Sequence, residues 1–271
     1  MKSFSLFVFI ALTAPNCFGQ SQAHESHSSM ETLHPEEHTM WFGPIGGINF
    51  NQYKTASFPF PYFEPVPISE QGESGRDLFL GISVEFPLGR SNQSMLVEEV
   101  LYDSKNASFN PGSAKDVDLK NFFFPGQRGD LSTTLSATLS YLIVATGFKY
   151  NFIESSTPSG PGIQLLLYVG YNTSANFTEH IDVVTAPDAH GMQGEQGVTV
   201  MDAIDGANKV RLGLRGEISY DIPLNGNILL TPIVGYDLPL TKVDNTNRSW
   251  TATSIYAGIA VHFGIGSGER D

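Results

Sequence analysis

Residues 210–224, VRLGLRGEISYDIPL, decide the fold class. The even positions are Val210, Leu212, Leu214, Gly216, Ile218, Tyr220, Ile222 and Leu224, and the odd positions are Arg211, Gly213, Arg215, Glu217, Ser219, Asp221 and Pro223. A period of two puts these sets on opposite faces of one strand, one face uncharged and the other charged. Asn225-Gly226 follows, a dipeptide suited to a two-residue hairpin because both positions tolerate positive φ.

The same alternation recurs along the chain. Eight strands are expected: 41–51, 78–88, 94–102, a fourth ending near 150, then 162–172, 210–224, 227–241 and 254–264. The second is strict, with Leu78, Leu80, Ile82, Val84, Phe86 and Leu88 against Phe79, Gly81, Ser83, Glu85 and Pro87. In the third, adjacent Glu98 and Glu99 leave the phase open. In the fourth, Leu142, Val144, Phe148 and Tyr150 share one phase while Leu131, Leu135 and Leu139 fall in the other, which predicts a bulge near Ser140. Strands of about 9–11 residues suit a tilted crossing of the hydrocarbon. Residues 176–185 and 197–204 leave room for one more hairpin.

The connections alternate in length, those on one rim containing roughly 52–77, 103–130, 173–208 and 242–253, three of them long. Short turns on one rim and long loops on the other are the habit of outer-membrane barrels, the short turns facing the periplasm. Aromatic residues at the strand ends, Tyr102, Tyr171 and Tyr236 on one rim and Phe86, Tyr150, Tyr220 and Phe263 on the other, are expected to form belts at the two water interfaces. A soluble eight-stranded barrel also alternates, but points its apolar face inward. Three features favour lipid outside: the apolar stripes are free of charge over whole strands, glycine alternates with long charged residues on the other face (Gly213 between Arg211 and Arg215), and the strand ends are aromatic. A Lys or Arg on the lipid face would cost about 2–4 kcal/mol at the midplane. The expectation is an all-β, eight-stranded antiparallel up-and-down transmembrane β-barrel in the cell outer membrane.

Composition agrees. The chain has 271 residues, a formal net charge of −13, 27 glycines and 16% charged residues. The acidic balance argues against a nucleic-acid partner. No apolar run reaches 18 residues, so no membrane helix is expected. Lys2 followed by an apolar core at 4–14 and Pro15 reads as a signal peptide over 1–19, the alternative being a lipoprotein modified at Cys17, the single cysteine. Residues 20–39 read as a flexible His-rich leader, 40–265 as the barrel and 266–271 as a short tail.

The segments GGINF (46–50), LGISVEFPL (80–88), EEVLY (98–102), YLIVATGFKYNF (141–152), GIQLLLYVGYN (162–172) and YAGIAVHFGI (256–265) resemble the outer-membrane β-barrel domain family of Gram-negative bacteria, small porin-like or OmpA-transmembrane-like barrels. The resemblance spans about 40–265. Where the family often carries Glu and Pro in its fourth-strand motif, this chain has Ile143 and Ala145. The resemblance implies insertion by the outer-membrane assembly machinery, whose signal is a terminal strand ending in an aromatic; Phe263 resembles that residue. Wall anchoring by a following domain is not expected.

Candidate chemistry is sparse. Glu85, Lys149, Arg211, Arg215, Glu217 and His262 should point inward, either as an internal ion-pair network or as a pore lining. His24, His27, His34 and His38, with Glu25, Glu31, Glu36 and Glu37, match no regular metal spacing, so no metal and no cofactor are expected. His180, Asp182, Asp188, His190 and Asp202 are the residues a rim hydrolase would draw on, without a recognisable pairing. Phe122-Phe123-Phe124-Pro125 is a candidate contact surface in a long loop. The function expected is therefore a non-enzymatic structural or interaction role through the surface loops. The alternative is a small channel for ions or solutes. The lipid bilayer is the expected partner; any extracellular ligand is unreadable.

Overall fold

The computed structural model describes residues 38–54, 74–89, 92–118, 128–185, 195–204, 206–244 and 250–266. These form nine strands: β1 (His38–Lys54), β2 (Ser74–Pro87), β3 (Ser94–Asp118), β4 (Arg128–Asn151), β5 (Gly160–Thr185), β6 (Glu195–Ala203), β7 (Val210–Asn225), β8 (Ile228–Pro239) and β9 (Thr251–Gly266). Every pairing is antiparallel. β1 pairs with both β2 and β9, β4 with both β3 and β5, and the lower half of β5 with β7, so eight strands close on themselves and leave no open edge at membrane depth.

The expected inversion of a soluble core is present. Leu80 and Ile218 on the outer face are each 66% exposed, while Arg215 and Lys149 on the inner face are each 1% exposed. Burial alternates along β7 as far as Asp221 and along β8. The glycines of the inner face make room for bulk. A Cβ on Gly213 would collide with the Tyr168 ring and hydroxyl, and one on Gly235 with those of Tyr256. Two large tyrosines thus lie across the lumen on backbone that has no side chain.

β6 is not a barrel strand. It pairs with the upper part of β5, from Asn176↔Ala203 to Val184↔Glu195, above the level at which β5 leaves β7. β3 and β4 continue beside it, pairing as far as Asp118↔Arg128. The result is a four-stranded sheet, β3–β4–β5–β6, standing above the barrel on its long-loop side. Much of the two expected loops at 103–130 and 173–208 is therefore strand. Their Ser, Asn and Thr content reads as loop, but the ladder runs on because each strand inherits its register from the membrane-embedded part below.

The expected bulge lies where the phase changes, between Ser140 and Tyr141, but the extra residue is Thr173 of β5, between Asn172 and Ser174. β4 itself keeps its faces: Leu135, Ala137 and Leu139 point inward with Tyr141, Ile143 and Ala145. What changes is the medium outside. Below Ser140 the outer face meets lipid and is apolar except at Thr146; above it Thr138 and Ser136 face water, and the leucines move to the inside, as in a soluble sheet. The hairpin also departs from expectation. Its two-residue loop is Gly226–Asn227, closed by Asn225↔Ile228. The Asn225 side-chain oxygen accepts the Asn227 backbone N–H at 2.8 Å, an Asx turn. The left-handed glycines among the described residues are Gly89, Gly160 and Gly206.

Candidate functional site

The inward-facing polar residues stack in three layers. Near the short-turn rim, Lys149 Nζ donates to both Glu85 oxygens at 3.0 Å and lies 2.9 Å from Asp221 Oδ2. Thr231 Oγ1 donates to Asp221 Oδ1 at 2.9 Å, and His262 Nε2 stands 4.0 Å from Glu85 Oε1. Beneath, Trp41, Met95 and Leu229 form an apolar floor.

In the middle layer Gln164 Nε2 bridges two carboxylates, Glu217 at 3.0 Å and Glu99 at 3.3 Å. The Tyr256 hydroxyl donates to Glu217 at 2.6 Å, and Arg215 Nη1 is 3.6 Å from Glu99. The Arg215 guanidinium lies against two neighbouring rings, 4.4 Å from the Tyr256 centroid and 5.7 Å from that of Phe79. Buried cations with incomplete hydrogen bonding gain from such ring faces.

The upper layer centres on Asp237. It takes Lys105 at 3.0 Å, Arg211 at 3.1 Å and the Tyr168 hydroxyl at 2.6 Å. Arg211 also donates to Tyr168 Oη at 2.9 Å and to the Ala252 carbonyl at 2.7 Å. Lys105 reaches Asp103 at 3.2 Å and Ser254 Oγ at 2.7 Å, and Ser254 passes the chain on to Asn51 and, through it, to Asp77. Above lies an apolar cap that includes Leu135, Leu139, Val243 and Trp250.

All six expected inward residues, Glu85, Lys149, Arg211, Arg215, Glu217 and His262, are buried, and the structure divides them among the three layers. Sequence reasoning did not single out Glu99, Asp103, Lys105, Gln164, Asp221 or Asp237. The signal was available for Gln164, Asp221 and Asp237, which share the phase of the residues they join, while at Glu99 the adjacent Glu98 cancelled it. For Asp103 and Lys105 it was masked by reading residues after 102 as a loop.

Tyr102, Tyr150, Tyr171, Tyr220, Tyr236 and Phe263 are exposed on the outer face, and Phe86 is half-buried there. The expectation of an uncharged outer face is corrected at one position. Glu99 points in and Glu98 points out, exposed between Val84 and Thr146.

Above the membrane, His180 Nε2 lies 3.1 Å from Asp182 and its Nδ1 lies 2.9 Å from Thr199 Oγ1. The Thr199 contact was not evident from sequence, since it depends on β5 and β6 being adjacent, whereas His180 and Asp182 come together as i and i+2 on one face of β5. It is open to solvent, with the His180 and Asp182 side chains 48% and 43% exposed. Asp202 is exposed further along β6. Asp188, His190, Phe122-Phe123-Phe124-Pro125, Cys17 and the leader residues His24, His27 and His34 with their glutamates lie outside the described residues, as does the side chain of His38. Among the described residues no group of three His, Cys, Asp or Glu side chains is placed to hold a metal ion. Glu179, inward on β5 above the barrel, is fully buried, and this burial raises its carboxyl above the ordinary range.

A closed eight-stranded barrel with greasy exterior and ion-paired interior is an integral outer-membrane protein. The chain belongs to the outer membrane protein beta-barrel domain family, whose model matches residues 18–245. β9 lies beyond that match and closes the barrel against β1. Among solved structures, Ail of Yersinia pestis, crystallised with the heparin analogue sucrose octasulfate, is 8% identical with a TM-score of 0.32, over 83% of this chain and 99% of that one. Neisserial surface protein A is 14% identical with a TM-score of 0.33, over 82% and 96%. The N-terminal barrel domain of Pseudomonas aeruginosa OprF is 11% identical with a TM-score of 0.24, over 82% and 98%. No curated relative matches by sequence.

Proposed function

We propose that the protein is a non-enzymatic, non-conducting barrel that acts as a platform for contacts outside the cell. The carrying observation is the pairing of a filled interior with a sheet raised above it. A side chain lining a water-filled channel presents surface to that water, and Arg211, Arg215, Lys149 and Lys105 present almost none. Packed side chains close both ends, Trp41, Met95 and Leu229 with Asn151 below and Leu135, Leu139, Val243 and Trp250 with Glu179 above. The working part is the sheet β3–β6. Its edge strand β6 carries exposed Thr199 and Met201 and, among the described residues, pairs on one side only. An unpaired edge of high β-propensity is a template for an extended strand of a partner protein. Insertion by the outer-membrane assembly machinery, with Phe263 near the end of β9 as its signal, belongs to the same reading.

The small-channel reading makes the opposite prediction in planar bilayers. Purified protein is expected to give no steady unitary conductance; openings abolished by Arg211→Ala or Glu85→Gln would replace the platform with a channel. For the platform, Thr199→Pro combined with Met201→Lys is expected to reduce binding of host-cell surface proteins to whole bacteria without changing the amount of folded barrel. Undiminished binding would place the contact elsewhere. The His180–Asp182–Thr199 contact is read as a cross-strand clamp, because an open surface offers no shielded site for a reacting group.

A further inference from the structure

Glu98 and Thr146 form one polar spot on an otherwise apolar wall. Between the aromatic levels, every other described outward side chain of the eight barrel strands is apolar or aromatic, or the residue is glycine or proline. The two exceptions are not scattered. Glu98 of β3 and Thr146 of β4 are direct cross-strand partners. Both are exposed, and neither side chain has a hydrogen-bond partner among the described residues.

Depth removes the bland explanation. Along β3, Glu98 lies four residues above Ser94, which pairs with Tyr150 of the lower belt, and four below Tyr102 of the upper one. Four residues of a strand tilted as in these barrels rise roughly 10 Å. That is beyond the reach of a glutamate side chain, so Glu98 cannot bring its carboxyl to either interface by bending towards it. An ionisable side chain held at the midplane marks a contact, since hydrocarbon offers it nothing.

The arrangement points to its occupant. A carboxyl and a hydroxyl side by side in one row are self-complementary. A two-fold axis along the membrane normal, passing between β3 and β4, sets each Glu98 opposite the other copy's Thr146, so that each hydroxyl donates to the facing carboxyl. Such an isologous contact needs both residues, in adjacent strands, at one level. A cationic partner protein would be served by Glu98 alone and would give Thr146 no part. We infer that a second copy of this chain docks laterally in the membrane on the β3–β4 wall, joined by reciprocal Glu98–Thr146 hydrogen bonds. The contact is independent of the platform reading above.

Thiol cross-linking in native outer membranes tests it. In a Cys17→Ser background, Val100→Cys places one thiol next to the spot, and Ile259→Cys places one on the opposite wall. A short bifunctional thiol reagent is expected to yield a species of twice the monomer mass from Val100→Cys and none from Ile259→Cys. Adding Glu98→Leu or Thr146→Val should lower that yield by roughly an order of magnitude, while Glu98→Gln, which can still accept from the hydroxyl, should keep it. Heat-dependent mobility on gels reports that each variant is folded. No dimer from Val100→Cys, an adduct of another mass, or a dimer indifferent to Glu98→Leu would each overturn the inference.

Discussion

Replacing Lys149 with methionine is expected to destabilise the folded barrel by about 3–5 kcal/mol, read as a lowered urea midpoint for the protein refolded in lipid vesicles. Lys149 sits within 3.0 Å of both Glu85 and Asp221, and all three side chains are at most 3% exposed. Removing the cation leaves two carboxylates together with, among the described residues, Thr231 and a more distant His262 beside them. The size of the loss reflects stranded charge, not the worth of the intact pair, since a buried ion pair roughly breaks even against apolar packing. Two further changes separate these. Adding Glu85→Gln and Asp221→Asn to Lys149→Met removes the stranded charges and should recover much of the midpoint. If Lys149→Met left the midpoint where it was, water would have to reach this layer, and the argument for a filled lumen would fail with it.

The second large effect is expected at the lipid face. Leu167 is 53% exposed, outward on β5, and pairs with Thr146 and Leu214 in the same row as Glu98. Leu167→Arg should cost about 2–4 kcal/mol in vesicles, the penalty for a cation at mid-bilayer. Thr138→Arg is the matched control. It lies on the same outer surface, on β4 just above Ser140, where the strand faces water. Its cost should stay within about 0.5 kcal/mol. Equal effects at the two positions would mean that the membrane boundary is not at Ser140.

That boundary also explains how much could be read in advance. Wherever a strand meets lipid on one side and a packed lumen on the other, two solvents of opposite preference imprint a period of two. β2, β7, β8 and β9 were therefore legible, faces included. In β4 the same face changes medium at Ser140, and the apolar residues change sides while the backbone does not. A reading based on phase alone takes this for a kink. Beside it the one inserted residue, Thr173, is on the neighbouring strand, where nothing in its own sequence marks it. The pair Glu98-Glu99 had the same defect. Two adjacent carboxylates cancel each other's phase, and only the register with Val84 and Thr146 shows which of them faces lipid.

The site divides in the same way. The inward charges of β7 were visible as Arg211, Arg215 and Glu217, because one strand carries them at fixed spacing. Which carboxylate meets which cation was not visible, because Asp237 reaches them from β8, and Glu99 and Lys105 from β3.

The amino-acid sequence by itself determined the closed all-β class, the outward direction of the apolar face and the membrane placement, because side-chain alternation is a local property of an extended backbone facing two media. Only the tertiary structure decided that three charged layers fill the lumen, that β3 to β6 rise as a sheet instead of ending in loops, and that Glu98 lies beside Thr146 on the lipid wall. Each of these depends on the stagger between strands distant in sequence, which is set by barrel closure and leaves no mark on any one segment.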